Sequence, residues 1–357
     1  MAPAAGPVII GGGLAGGLLA LALRELGSPV TLIDGAACSS PVRSATALSY
    51  GAVPGWALAP TPLARLAARA PGRWRALQRR YGELGWRRVP LRLHGPNVAL
   101  RGLSQLSLLP FGQVDTSVLD RRWPELLEAA GVQRLGLAVE RLDRDPAGGA
   151  ILHLADGGLL RAGEVVLAAG SGCRRLWPDL PSHVRTSWAA VLKLPQFPAV
   201  LEGYGCWLPQ RFARVPLERR AALLQAPARV LDAGLVPRAA GALLGQLTLV
   251  RPTLEPGLPP EPCGLERELR EGLAALPWSA PLAALPGELC QAAVAFSSDG
   301  VPLVGPVAAG LWAFTGFSAG FSQVPLLAPL LARCLLGEAQ AQGQLQRLGV
   351  WPVAATG

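Results

Sequence analysis

With 357 residues, half of them hydrophobic but only 6% aromatic, the chain can bury a sizeable core and suits one large or two intertwined domains. Its formal charge of +9 invites a polyanionic partner, yet the basic residues are scattered arginines, Lys193 being the single lysine. Pairs such as Arg79-Arg80 and Arg87-Arg88 are not interleaved with stacking aromatics, which argues against nucleic acid. Six cysteines (Cys38, Cys173, Cys206, Cys263, Cys290, Cys334) without a CxxC pair lie apart from the three histidines, His94, His153 and His183. That leaves zinc without support and reads as free thiols in a reducing, cytoplasmic compartment.

The chain opens on Val8-Ile9-Ile10 followed by Gly11-Gly12-Gly13-Leu14-Ala15-Gly16, an apolar run from Leu18 to Leu26, then Val30-Thr31-Leu32-Ile33-Asp34-Gly35. Strand, glycine turn, helix, strand and acid make up the phosphate-binding unit of a dinucleotide fold. Gly11 permits the tight turn, Gly13 lets backbone approach a pyrophosphate, and Gly16 lets the helix pack closely. Asp34, 18 positions after Gly16, is placed to accept hydrogen bonds from a ribose. Residues 1–23 carry no charge, but they lack a basic start and are interrupted by glycines, so no secretory signal is expected.

Ser44 to Gly51 is a small-residue segment suited to lie against a flat ligand. Residues 62–81 show helical periodicity, and 86–110 read as extended and proline-bounded, a first visit to a second domain. Asp115 to Ala130 reads as an amphipathic helix, followed by a strand around Leu135 to Leu142 and a hairpin through Asp145 to Gly149. Glu164 to Gly172 is a buried strand entering a glycine turn. Residues 187–290 alternate strands with proline turns and hold helices near 216–225 and 264–276. The uncharged stretch 301–332 is long enough to span a bilayer, but its prolines and glycines divide it into strand, loop and buried helix.

The ordered set of GGGLAG with Asp34, ATALSYG, EVVLAAGSG, and SSDGVPLVGP followed by TGFSAGF resembles the FAD-dependent D-amino-acid oxidase, glycine oxidase and sarcosine oxidase superfamily. The resemblance implies an α/β fold: a Rossmann-like, glutathione-reductase-like FAD domain with an intertwined antiparallel-sheet substrate domain. The FAD domain is expected over 1–85, 110–186 and 290–357, and the substrate domain over 86–109 and 187–289. Gly11, Gly12, Gly13, Leu14, Ala15 and Gly16 would hold the FAD pyrophosphate, with Asp34 and Gly35 at the adenosine ribose. Ala45, Thr46, Tyr50, Gly51 and Ala52 match the segment beside the ribityl chain and flavin ring. Val139 matches the residue whose backbone pairs with adenine, and Gly170 ends the strand under the cofactor. Thr315, Gly316, Phe317, Ser318, Ala319, Gly320 and Phe321 match the loop at the flavin's pyrimidine edge. Ser322 is expected to cap the helix that follows, with Pro325 in its first turn.

The activity implied is oxidation of an amine or imino-acid C–N bond by hydride transfer to flavin N5, with oxygen or another acceptor. Relatives clamp a substrate carboxylate with arginine, but Val294 and Ser318-Ala319 stand where that cation is expected. A simple amino acid is therefore not the expected substrate. Candidates around the reacting centre are Tyr50, Lys193, Arg238, Arg251 and Phe317, with Trp56, Tyr204, Trp207 and Phe296 as further walls. Cys290 is nearest the region where some relatives attach flavin, but its spacing to Asp299 does not match, so non-covalent FAD is expected. Alternatives are a tRNA-modifying amine oxidoreductase, a quinone-coupled dehydrogenase at a membrane surface, or a non-catalytic flavoprotein.

Overall fold

The computed structural model describes residues 4–35, 44–146, 148–196 and 205–352. Tyr204 and Cys38 lie outside the described residues. Strand β1 (Val8–Ile10) is apolar on both faces, as a parallel strand covered on both sides must be. It pairs in parallel with β2 (Thr31–Ile33) and β11 (Val165–Leu167) at the centre of a six-stranded sheet. Parallel β7 (Gln133–Leu135) extends the sheet on one side. On the other side, parallel β19 (Leu311–Thr315) is followed by antiparallel β18 (Leu303–Ala308). Helix α1 (Leu14–Glu25) runs between this sheet and two others, α6 (Thr116–Ala129) and α11 (Gly320–Leu335), which is why residues all round it are buried.

The second unit is a mixed, mainly antiparallel sheet in the order β17 (Glu288–Ser297), β12 (Val184–Leu194), β16 (Ala242–Val250), β15 (Leu235–Pro237), β13 (Cys206–Pro209), β5 (Leu91–His94). Strand β14 (Ala228–Leu231) also pairs with β16. The expected boundary at 290 falls inside β17, which pairs with β12 along its whole length. Period-two alternation gives this sheet two dry faces. Ala190, Leu192, Leu194, Leu244 and Leu247 meet the Leu265-Leu269-Leu273 stripe of α9 (Pro262–Ala274). Val191, Val236, Leu243, Cys206, Leu208 and Cys290 point the other way and pack with Tyr50 and Phe111 of the first unit.

Three local expectations are corrected. The strand expected over Leu135 to Leu142 is two strands in different sheets, β7 and β8 (Val139–Arg144), the chain crossing between them through Gly136 to Ala138. The extended stretch 86–110 contains a helix, α5 (Val98–Gln105), capped by the Asn97 side chain on the Leu100 N–H. Ser322 does not cap α11: the helix starts earlier, the Ala319 carbonyl already accepting from the Ser322 and Gln323 N–H groups. Pro325 consequently lies inside the helix. The apolar stretch 301–332 divides into β18, β19 and α11, and no helix among the described residues is long and apolar enough to cross a membrane.

Candidate functional site

The turn between β1 and α1 is held open by neighbouring groups. Gly11 has φ of 111°, a conformation that L side chains rarely adopt, and a Cβ there would lie 2.5 Å from the Ala168 carbonyl oxygen. A Cβ on Gly16 would run into the Gly11 carbonyl oxygen, and one on Gly12 into the Asp34 carboxylate. Gly13 differs: among the described residues the one outside atom near its Cβ position is the Thr46 hydroxyl, at 3.2 Å. That hydroxyl accepts the Leu14 N–H at 3.0 Å, and the Trp123 indole donates to the Gly12 carbonyl at 3.1 Å. These two bonds brace the turn, and its one roomy glycine leaves a cradle at the positive end of α1.

Other parts of a dinucleotide site line up beside this cradle. Asp34 stands over Gly12, and Gly35 touches Ala138, so the start of β8 at Val139 lies beside the end of β2. Thr46 lies in α2 (Ala45–Leu48), whose small residues pack near β17. Gly51 has φ of 63°, and a Cβ there would meet the Val114 carbonyl, which fixes the turn into β3 (Ala52–Pro54). Gly170 has φ of 57° and starts a 3-10 turn after β11. The buried Ser322 hydroxyl on the first turn of α11 has no hydrogen-bond partner among the described residues. The cradle at Gly13 and this unmatched hydroxyl would suit a phosphate-rich dinucleotide, which Gly11 to Gly16, Thr46 and Asp34 could hold, with the 315–321 loop opposite.

The structure separates the expected substrate-side residues. Tyr50 is buried against Gly234 on the inner face of the second sheet, its hydroxyl unpartnered among the described residues. Burial pushes its pKa well above 10, Asp232 adding to the shift and Arg214 opposing it. Trp56 packs near Phe111 in the same cluster. Phe317 instead stands edge-on to Phe314, 4.9 Å away, at the border of the first unit's core. Trp207 stacks on Trp278 on the opposite face of the sheet, and Phe296 is buried under α8 (Arg214–Arg219) with Leu217 and Ala221. Trp207 is therefore not a wall of the inner face around Tyr50, whereas Phe296 lies on the Val294 side of β17, farther along the strand and under α8.

Both candidate arginines are already engaged. Arg238 donates to the Ala47 carbonyl at 2.9 Å and to the Thr116 hydroxyl, and lies 3.9 Å from Asp115, tying the two units together. Arg251 folds onto the Pro256 and Leu258 carbonyls of its own loop. Lys193 is exposed near the end of β12, opposite Glu288, as a surface lysine would be. Val294 shares the inner face with Cys290 and Ala292 by strand alternation and is half-buried.

A charged cluster that sequence reasoning missed lies beside Tyr50. Asp232 is 1% exposed and accepts the Ala213 N–H and, at 3.1 Å, the Arg214 N–H, capping α8 from a neighbouring strand turn. The Arg214 guanidinium donates to both carboxylate oxygens of Glu218, at 3.3 and 3.1 Å, and to the Ser318 carbonyl at 2.9 Å. Burial raises the pKa of Glu218 with Arg214 opposing, and burial raises that of Asp232 despite its N–H donors. The available signal was Asp232 itself, a lone acid in the apolar run Val230-Leu231-Asp232-Ala233-Gly234. Its partners are distant enough in sequence that spacing does not reveal the cluster.

Residues 8–124 match the family model described as DAO, FAD dependent oxidoreductase. The fold is similar to that of glycine oxidase from Bacillus cereus, at 16% identity, covering 94% of this chain and 96% of that one, with a TM-score of 0.68. It is also similar to iminodiacetate oxidase from Chelativorans sp., at 20% identity, with coverage of 93% and 95% and a TM-score of 0.67. L-proline dehydrogenase from P. horikoshii gives 16% identity, coverage of 94% of each chain and a TM-score of 0.67. No curated protein matches the sequence. With the glycine cradle, the acid over it and the two-sheet architecture in place, residues 8–124 carry the match to the DAO family of FAD-dependent oxidoreductases, and the chain as a whole shares the fold of these solved structures.

Proposed function

We propose that the protein oxidises a C–N bond in an amine or imino substrate that lacks a clamped carboxylate, using non-covalently held FAD. The observation that carries this reading is the state of the arginines around Tyr50. Val294 and Ser318-Ala319 supply no cation, Arg238 is tied to Ala47 and Thr116, and Arg214 is matched by Glu218 and the Ser318 carbonyl. A carboxylate entering such a site without a cation of its own faces a desolvation penalty that nothing repays. An amine with its acid group absent needs no such cation, and the Tyr50 hydroxyl, without a partner among the described residues, can donate to its nitrogen. FAD supplies the acceptor for the hydride; this chain's residues position the C–H and exclude water. Similar folds include an oxidase of glycine and a dehydrogenase of L-proline, which supports C–N chemistry as the class.

Under anaerobic conditions, bulkier secondary or cyclic amines should bleach the flavin, whereas glycine and D-alanine should do so slowly or not at all. Rapid bleaching by either simple amino acid below millimolar concentration would overturn the missing-clamp reading. The binding mode has its own test: acid or heat should release all yellow colour into the supernatant as intact FAD. Colour kept in the precipitate means a covalent link, for which buried Cys290 is the first thiol to replace.

A further inference from the structure

Helix α5 and the chain leaving it do not behave as part of a core. Of the eleven large hydrophobic side chains exposed among the described residues, five fall within 98–108: Val98 at 68%, Leu100 at 36%, Leu103 at 41%, Leu106 at 71% and Leu108 at 62%. The only buried residue of the helix is polar: Ser104 accepts the Leu93 N–H at 3.0 Å and donates to the Arg101 carbonyl at 2.7 Å. Both ends are fastened by polar groups as well. The Gln210 side chain pairs with the backbone N–H and carbonyl of Asn97, and Arg92 donates to the Ser104 and Gln105 carbonyls. The fold therefore holds this helix in place without burying its leucines, which form an apolar surface exposed among the described residues.

Charge selects the partner. Residues 84–114 contain Arg87, Arg88, Arg92 and Arg101 and no acid. Strand β13, which pairs with β5, continues into Gln210 and Arg211, and residues 205–217 also contain no acid. Trp278, 4.8 Å from His94, belongs to a third acid-free stretch, 272–287. Exposed leucines carried on a stretch of chain with basic and no acidic side chains match an anionic, apolar-cored partner. We propose that the segment from Val98 to Leu108 docks the enzyme on an anionic lipid bilayer surface, its leucines entering the headgroup boundary and exposed Arg88 and Arg101 facing lipid phosphates. The inner end of β5 carries Leu91 into the Tyr50 cluster, so the docked surface and the candidate site share one strand.

The test is sedimentation of the full-length, FAD-loaded protein with vesicles of phosphatidylcholine containing about one third phosphatidylglycerol, compared with pure phosphatidylcholine. Binding should require the anionic lipid and fall in high salt. Leu103→Glu/Leu106→Glu should weaken partitioning about tenfold or more, and Arg101→Gln about fivefold, on the usual worth of an inserted leucine and a surface arginine. Both variants alter exposed side chains, and retained flavin absorbance and an unchanged melting curve will show that each is folded. No binding to anionic vesicles, equal binding to neutral ones, or an unaffected double-glutamate variant overturns the proposal. So does gel filtration in which the double variant turns a dimer into a monomer, which would make the patch an interface between copies.

Discussion

Gly13→Val should give a folded protein that purifies colourless and cannot be reconstituted with FAD. Gly13 has φ of −68°, which valine adopts freely, and among the described residues only the Thr46 hydroxyl, at 3.2 Å, stands near its Cβ position. The isolated chain can therefore accept the side chain with a small shift of Thr46. The methyl groups would project into the cradle beside the Thr46 hydroxyl, where a pyrophosphate oxygen would lie. Steric exclusion leaves no partial binding to rescue, so a loss of at least a hundredfold in FAD affinity is expected by titration, about 2.7 kcal/mol or more. Gly16→Ala should fail differently. Its Cβ would collide with the Gly11 carbonyl oxygen, so α1 must move off β1 and the melting temperature should fall with or without FAD. Normal FAD binding by folded Gly13→Val would falsify the assignment of this turn.

The contrast between these two glycines shows what the sequence could convey. Local features with an unambiguous backbone signature were legible: the glycine turn, Asp34 at the end of β2, the α6 helix started by Asp115, and the break-up of residues 301–332 by proline and glycine. The resemblance of four ordered motifs also anticipated the fold, since three of them lie at the carboxyl ends of neighbouring parallel strands, β1 with β2, β11 and β19. What failed was information held in tertiary contacts. Ser322 has the chemistry of a cap, but the Ala319 carbonyl lets α11 begin before it. Val139 begins a new sheet because the chain crosses over at Gly136, a change that apolar patterning through Leu135 to Leu142 does not mark. Arg238 and Arg251 flank β16 as expected, but which carbonyls they meet depends on loops far away or on how a proline-rich loop folds back.

Arg214→Gln should be strongly destabilising at pH 8 and much less so near pH 5. In the native protein Glu218 has a side chain only 4% exposed, and Arg214 supplies its two charge-assisted bonds. Removing one partner of such a pair leaves the other charge buried, at a typical cost of about 3–5 kcal/mol. The pH dependence follows from the direction of the shift. Burial already raises the Glu218 pKa and Arg214 opposes that rise, so losing Arg214 raises it further. A carboxyl whose folded pKa exceeds its unfolded value of about 4.3 favours the fold while protonated. That contribution is complete below the unfolded value and is lost as pH rises through the folded one. The deficit of the variant should therefore grow from pH 5 to pH 8, measured as the urea midpoint at each pH. Glu218→Gln added to Arg214→Gln should recover most of the stability at pH 8, because no buried charge is then left unmatched. The double variant should still hold FAD more weakly than the parent, since the bond from Arg214 to the Ser318 carbonyl steadies the 315–321 loop. A single-variant deficit that is equal at both pH values, or a double variant no more stable than the single, would show that Glu218 does not carry the buried charge.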